Sequence, residues 1–318
     1  MLRKTIVAVS AASLMFAGTV NMDLNAKYGA TNFHTIGAVN YAKLVKKYTN
    51  GTVNIKVHAG SSLVKGNALK AVKDGVVPMT DMFIPFTAGG GKVFGISALP
   101  FVASSYADAY KLYQISKPAY NKTFTKWNQK LLYAVTWPPS GIYTKKALSS
   151  TADFKGVKAR TYDKNSANFV KMAGGNAVAL PWGEVYSALS TGLVNAVVTS
   201  SESGKNGKLW EVLNHFTKIG YAYPLQAVTI NLDYWKSLDK AQQKAMLKAA
   251  KEMEKIQWGI SENIDKKDLV ILMQHGMKVS TPTPKLKKQL SVVGDKMLKA
   301  YLRNASSDIR KIFKEYRK

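Results

Sequence analysis

Between residues 52 and 58 apolar side chains recur at every second position, with Val53, Ile55 and Val57 on one face, which predicts a half-buried strand. The preceding stretch, 35–48, repeats at helical spacing instead. Ile36, Val39, Leu44 and Val45 line one side of it, and Asn50-Gly51 supplies the turn between the two. A short strand near 24–27 opens this region. A helix over 67–73, stopped by Asp74-Gly75, leads to a further strand over 76–82. Strand and helix alternating at this spacing predict an α/β lobe with parallel strands. Two helices are expected next, near 106–116 and 119–129, then strands over 131–137 and 141–145. Pro138-Pro139 between those strands cannot extend a ladder, so the chain must turn there and can pass into a second lobe.

The alternation then repeats. A strand over 157–162, a helix over 165–173 stopped by Gly174-Gly175, and a strand over 177–180 precede Pro181-Trp182-Gly183. A helix over 184–191 follows, ended by Gly192, and Leu193 begins a buried strand that runs to Thr199. From Asp239 to Gln274 the helical pattern continues without interruption through Met246, Ala249, Ala250, Met253, Ile256, Ile260, Ile264 and Leu269. Such a helix is about 50 Å long, whereas one lobe is only about 30 Å across. It must span both lobes or break, and Gly259 is the natural break point. Thr281-Pro282-Thr283-Pro284 ends this segment, and a lysine-rich helix closes the chain.

A length of 318 residues suits two lobes of roughly 100–150 residues each, and 46% apolar residues are ordinary for a globular protein. Arg3 and Lys4 precede an almost uncharged stretch from Thr5 to Val20, too short to span a bilayer with margin, which reads as an export leader. Cleavage is expected between Ala17 and Asp23. The chain has no cysteine, which removes thiolate catalysis, disulfides and cysteine-bound metals from consideration. His34, His58, His215 and His275 are too scattered to form a metal-spaced pair. No cofactor is expected. The net charge of +27 raises the question of nucleic acid, but the lysines are dispersed, with no arginine-rich run or RNA-binding aromatic motif. A nucleic-acid partner is therefore not expected.

Of 46 basic residues only five are arginines, and Arg160 is the one in the whole middle of the chain. A guanidinium donates two parallel hydrogen bonds to a carboxylate, which an ammonium cannot imitate. Ligands of parallel α/β lobes sit beyond the carboxyl ends of the strands. Arg160 is close to one such end, Trp182 follows the next, and Thr199-Ser200 follow the one after. Together they would offer a carboxylate anchor, an apolar wall and neutral hydrogen-bonding groups. No nucleophile–base pair or carboxylate dyad accompanies them, which argues against an enzyme.

The segment Asp153-Phe154-Lys155-Gly156-Val157-Lys158-Ala159-Arg160 resembles the D-h-K-G-h-K-h-R signature of the extracytoplasmic solute receptors of tripartite ATP-independent periplasmic (TRAP) transporters. Glu184-Val185-Tyr186-Ser187-Ala188-Leu189-Ser190-Thr191-Gly192 is similar to their E-h-Y-x-A-L-x-T-G signature. Gly60-Ser61-Ser62-Leu63, Asp74-Gly75, Leu99-Pro100-Phe101 and the long late helix fall in the family's order, over about residues 24–280. The resemblance implies a two-lobed periplasmic binding protein fold with a long helix spanning both lobes. It places a leader at 1–22, lobe I at 23–136 plus about 220–258, and lobe II at 137–219 plus about 259–318. It further implies a periplasmic receptor that hands an organic acid to the small and large subunits of a sodium-coupled membrane permease.

By the same resemblance Arg160 binds the ligand carboxylate, Trp182 walls the pocket and Thr199 contributes a side chain after the next strand. The family's usual Asp-Gly after the E-h-Y helix is Asn195-Ala196 here. Ser140 stands where the sialic-acid branch has a second arginine, and Phe83 where it has an acidic contact. Fewer charges and more aromatic surface, from Phe83, Trp137, Tyr143 and Trp182, suit a monocarboxylate with an apolar or aromatic body. Ser140 and Tyr143 are the further neutral hydrogen-bonding candidates. The rival readings are a sensor presenting the ligand to a signalling membrane protein, and a secreted enzyme acting on small acids.

Overall fold

A computed structural model describes residues 18–318. The basic start and most of the apolar run read as a leader lie outside the described residues. Val20, Asn21 and Met22, assigned to that leader by sequence, belong instead to the first strand, β1 (Val20–Ala26), where they pair with Val53, Asn54 and Ile55. A leader ending at residue 22 would strip three ladder positions from an interior strand, so the mature fold needs the chain from Val20 onward.

Lobe I continues with β2 (Val53–His58), β3 (Met79–Phe83) and β4 (Gln129–Thr136). The chain then enters lobe II, which holds β5 (Gly141–Thr144), β6 (Lys158–Thr161), β7 (Asn176–Ala179), β8 (Ala196–Thr199) and β9 (His215–Thr217). It returns to lobe I as β10 (Leu225–Asn231), and β11 (Lys278–Ser280) completes lobe II. The sheet orders are β2-β1-β3-β10-β4 and β11-β9-β5-β8-β6-β7.

Neither sheet is wholly parallel, contrary to the expectation from strand–helix alternation. β10 runs antiparallel to β3 and β4, and β5 antiparallel to β8 and β9. The reason is connectivity: each of these two strands enters its sheet directly from the other lobe and so approaches it from the opposite end. The crossing segments lie side by side and pair through their backbones. Trp137 N–H donates to Pro224 O at 2.8 Å, Ser140 N–H to Ala222 O at 3.0 Å, and Tyr221 N–H to Ser140 O at 2.8 Å. Pro138-Pro139 therefore marks the lobe boundary, as its inability to join a ladder requires.

The helix Lys240–Gln274 runs for 35 residues without a break at Gly259. Asp239 and Gln242 close a capping box at its start, and Met246, Ala249, Ala250 and Met253 sink into the lobe I core. Farther along, Leu272 joins a lobe II cluster, so one helix braces both lobes. The two helices expected near 106–129 are a single helix, Tyr106–Lys126, with Pro118 inside it. Proline deletes one hydrogen bond there, but Leu112, Tyr113, Tyr120 and Phe124 are buried on both sides of it and hold the helix together.

The C-terminal region also departs from the sequence reading, which gave all of 259–318 to lobe II. Helix Pro284–Arg303 buries Leu286, Leu290, Val293 and Met297 in lobe II. Helix Ser307–Tyr316 then packs Ile309, Ile312 and Phe313 into the core of lobe I. The apolar spacing of this last helix is clear in sequence, but spacing does not say which lobe receives it. No helix among the described residues is long and apolar enough to cross a membrane.

Two predictions follow from this packing. Phe313→Ala should destabilise the fold by about 3–5 kcal/mol, the usual cost of emptying a buried aromatic site, as read by denaturant titration; a cost near zero would detach the last helix from the lobe I core. Asp81, in β3, is 2% exposed, and burial pushes its carboxyl up to about 7. A folded-state value above the unfolded one means that the group's stability contribution is full at low pH and is lost as pH rises toward 7. The melting temperature of Asp81→Asn relative to wild type should therefore climb between about pH 4 and pH 7, and a pH-independent difference would refute this.

Candidate functional site

The carboxyl ends of β6, β7 and β8 face a cleft between the lobes, with a volume of about 640 Å³, in the usual range for a small-molecule pocket. Arg160 pairs with Val178 of β7 and Val197 of β8, so its side chain rises from the middle of a three-stranded parallel patch. The residue is 3% exposed. Its Nε donates to the carbonyl of Leu180 at 3.0 Å, which fixes the plane of the fork and leaves the two terminal nitrogens to the cleft. Its guanidinium carbon lies 5.5 Å from the ring centroid of Trp182. Among the described residues Arg160 forms no ion pair. Burial pulls its pKa down to about 10, while Tyr28 and Tyr162 oppose that shift, so the group stays cationic at neutral pH.

Trp182 stands in the turn between β7 and helix Val185–Ser190, and its indole passes over Gly207. A Cβ at Gly207 would lie 2.9 Å from Trp182 Cζ2, so only glycine leaves room for the ring there. Thr199 ends β8 and lines the cleft. Ser140, from the lobe crossing, also lines it, with its hydroxyl 3.2 Å from that of Tyr162. Phe83 and Trp137 form the lobe I wall with Tyr28. Tyr28 meets Trp137 edge-on at 4.9 Å, and Phe83 meets Tyr162 edge-on at 5.6 Å across the lobes. Trp137 is held in place by its Nε1–H, which donates to Gln226 Oε1 at 3.3 Å.

Of the residues read from sequence, Arg160, Trp182, Thr199, Ser140, Phe83 and Trp137 meet at this cleft. Tyr143 does not. It is fully buried behind β5, stacked on Phe216 at 4.2 Å, and its hydroxyl donates to the carbonyl of Ser200 at 3.0 Å. Side chains of a strand alternate between faces, and neither face of β5 lines the cleft: Tyr143 packs with Val197 and Phe216 in one cluster, and Ile142 with Phe154 and Val198 in another. Gly204 lies directly over its ring, where a Cβ could not fit.

Sequence reasoning missed Tyr28 and Asn32 from the loop after β1, Tyr162 beside Arg160, and Glu202 with Asn206 from helix Ser201–Asn206. Glu202 is 2% exposed. Asn32 Nδ2 donates to Glu202 Oε1 across the lobes at 3.0 Å, and Asn206 Nδ2 donates to the same oxygen. Burial pushes this carboxyl up to about 7, with Lys205 opposing the rise and Asp268 adding to it. Lys27 and Lys65 stand at the lobe I side of the mouth. No group of three or more His, Asp or Glu among the described residues could hold a metal ion.

Residues 25–304 match the family described as bacterial extracellular solute-binding protein, family 7. A solute-binding protein of Albidiferax ferrireducens is 28% identical over 84% of this chain and 82% of its own length. A marine-metagenome TRAP solute-binding protein specific for pyroglutamate, solved with that acid bound, is 33% identical. It superposes with a TM-score of 0.90 over 94% of this chain and 99% of the other. A Bordetella pertussis extracytoplasmic solute receptor that binds pyroglutamic acid is 28% identical, with a TM-score of 0.91 over 94% of this chain and all of its own. The two-lobed architecture, the cleft and these matches agree: the chain belongs to family 7 of the bacterial extracellular solute-binding proteins, the DctP-type TRAP solute receptors, and is a binding protein, not an enzyme.

Proposed function

We propose that this chain is a periplasmic receptor that binds a small organic monocarboxylate between its lobes. It delivers the acid to the small and large membrane subunits of a sodium-coupled TRAP permease. The observation that carries the reading is a buried guanidinium with no anionic partner among the described residues, opening onto a cleft large enough for a small acid. A buried cation without a counter-ion is costly, and an arriving carboxylate both offsets that cost and accepts two charge-assisted hydrogen bonds.

Arg160 thus serves as the anchor, presented by the Leu180 carbonyl in a fixed orientation. Trp182, Phe83 and Trp137 supply apolar and aromatic surface for the body of the ligand, and Ser140 and Thr199 supply neutral hydrogen bonds. The pyroglutamate found with two similar receptors is a cyclic monocarboxylate of this kind, which makes it the first acid to test. Delivery to a permease is preferred to sensing because the family is that of transport receptors.

Arg160→Lys should weaken binding of pyroglutamate or another cleft acid by more than about tenfold in calorimetry, because a point charge cannot replace the fork. Unchanged affinity would remove the anchor role. Trp182→Ala should weaken aromatic and cyclic acids more than pyruvate-sized ones; equal losses for large and small acids would move the indole out of the binding surface.

A further inference from the structure

Glu202 has no part in a scheme built on a carboxylate anchor alone. A buried acid on the wall of an anion-binding cleft costs stability and opposes an anionic ligand, so its presence calls for a role. Its two oxygens are used very differently. Oε1 accepts from Asn32 of the opposite lobe and from Asn206 of its own helix. Oε2 has only the Ser203 hydroxyl, at a long 3.4 Å, and no lysine or arginine forms an ion pair with this carboxyl among the described residues. Two amides therefore fix the carboxyl plane through one oxygen and leave the other weakly occupied.

We infer that Glu202 is the second reading head of the cleft: its Oε2 accepts a hydrogen bond from an N–H or O–H donor on the ligand, and the carboxyl, once ionised, rejects a second carboxylate. This rests on the monocarboxylate reading and narrows it to acids that carry a hydrogen-bond donor away from the carboxylate. Arg160 and Glu202 then impose a direction on the ligand, negative group to the guanidinium and donor to the carboxyl. A donor that fits gains a charge-assisted bond, whereas a dicarboxylate must bring two like charges together in a site that excludes water. Asn32 adds a link to lobe position, because its bond to Oε1 forms only when the lobes are close together.

The test uses the whole mature chain and three probes of matched size: pyroglutamate, cyclopentanecarboxylate, which lacks the donor, and glutarate, which adds a carboxylate. Glu202→Ala should cost pyroglutamate about tenfold or more in affinity and cyclopentanecarboxylate under about threefold. Above pH 7 the isosteric Glu202→Gln, whose oxygen stays on the two asparagine amides while its NH2 replaces Oε2, removes both the charge and the free acceptor and should raise glutarate affinity relative to pyroglutamate by about tenfold. If the Glu202 variants instead weaken the three acids equally, the residue only latches the lobes, and if selectivity does not change, it reads nothing; either result overturns the inference while Arg160 remains the anchor. Wild-type protein that binds none of the three acids would overturn the monocarboxylate reading and this inference together.

Discussion

A positive charge withdrawn from water needs a reason, and in this protein the reason organises the cleft. The Arg160 guanidinium sits at the carboxyl end of β6, oriented by one backbone carbonyl and backed by one indole, with no acid among the described residues paired to it. Most of the lining preserves that condition, and the one acid in it, Glu202, is held instead by Asn32 and Asn206. The neighbouring hydroxyls of Tyr28, Ser140 and Tyr162 are neutral, and the walls are aromatic. A nearby aspartate would have neutralised the cation within the empty protein and left little to gain from a ligand. In the proposed reading, binding energy is reserved by keeping the anchor desolvated and unpaired beforehand.

The scaffold is what makes this affordable. Two sheets, each with its own core, carry the strand ends to a shared gap, and the backbone pairing of the two crossing segments holds those sheets in register beside it. The sheet directions follow from the crossings: β5 and β10 run against their neighbours because each enters from across the gap. Gly204 and Gly207 perform a smaller version of the same task. Lacking a Cβ, they let the second-lobe helix lie directly against Tyr143 and Trp182.

Much of this was legible in the chain. Strand-end logic brought Arg160, Trp182 and Thr199 together from three separate segments, because parallel neighbours must deliver their carboxyl ends to the same side. It was weaker wherever the relevant fact was not local. Tyr28 and Asn32 are more than a hundred residues from Arg160 and come from the other lobe, and no periodicity reveals which loop faces which. Glu202 was visible as an acid close to Thr199, but only its burial and its bond to Asn32 distinguish it from a helix-start carboxylate. Tyr143 was misplaced because β5 turns neither face to the cleft, one joining the cluster of Ile142 and the other that of Phe216. β10 escaped notice although Leu225, Ala227 and Val228 are buried, because a strand covered on both faces has no alternation to display. The two helices expected over 106–129 are one, because packing on either side of Pro118 carries the helix through it.

The path of the last seventy-odd residues has a mechanical meaning. Besides the paired strands at the gap, the 35-residue helix ties the lobes together, and the chain then travels back along Pro284–Arg303 to bury Phe313 in the lobe where it began. Four covalent bridges forbid a free swivel. Opening the cleft therefore means flexing those helices as well as parting the contacts across the gap, and Gly259 is the slimmest point of the longest one.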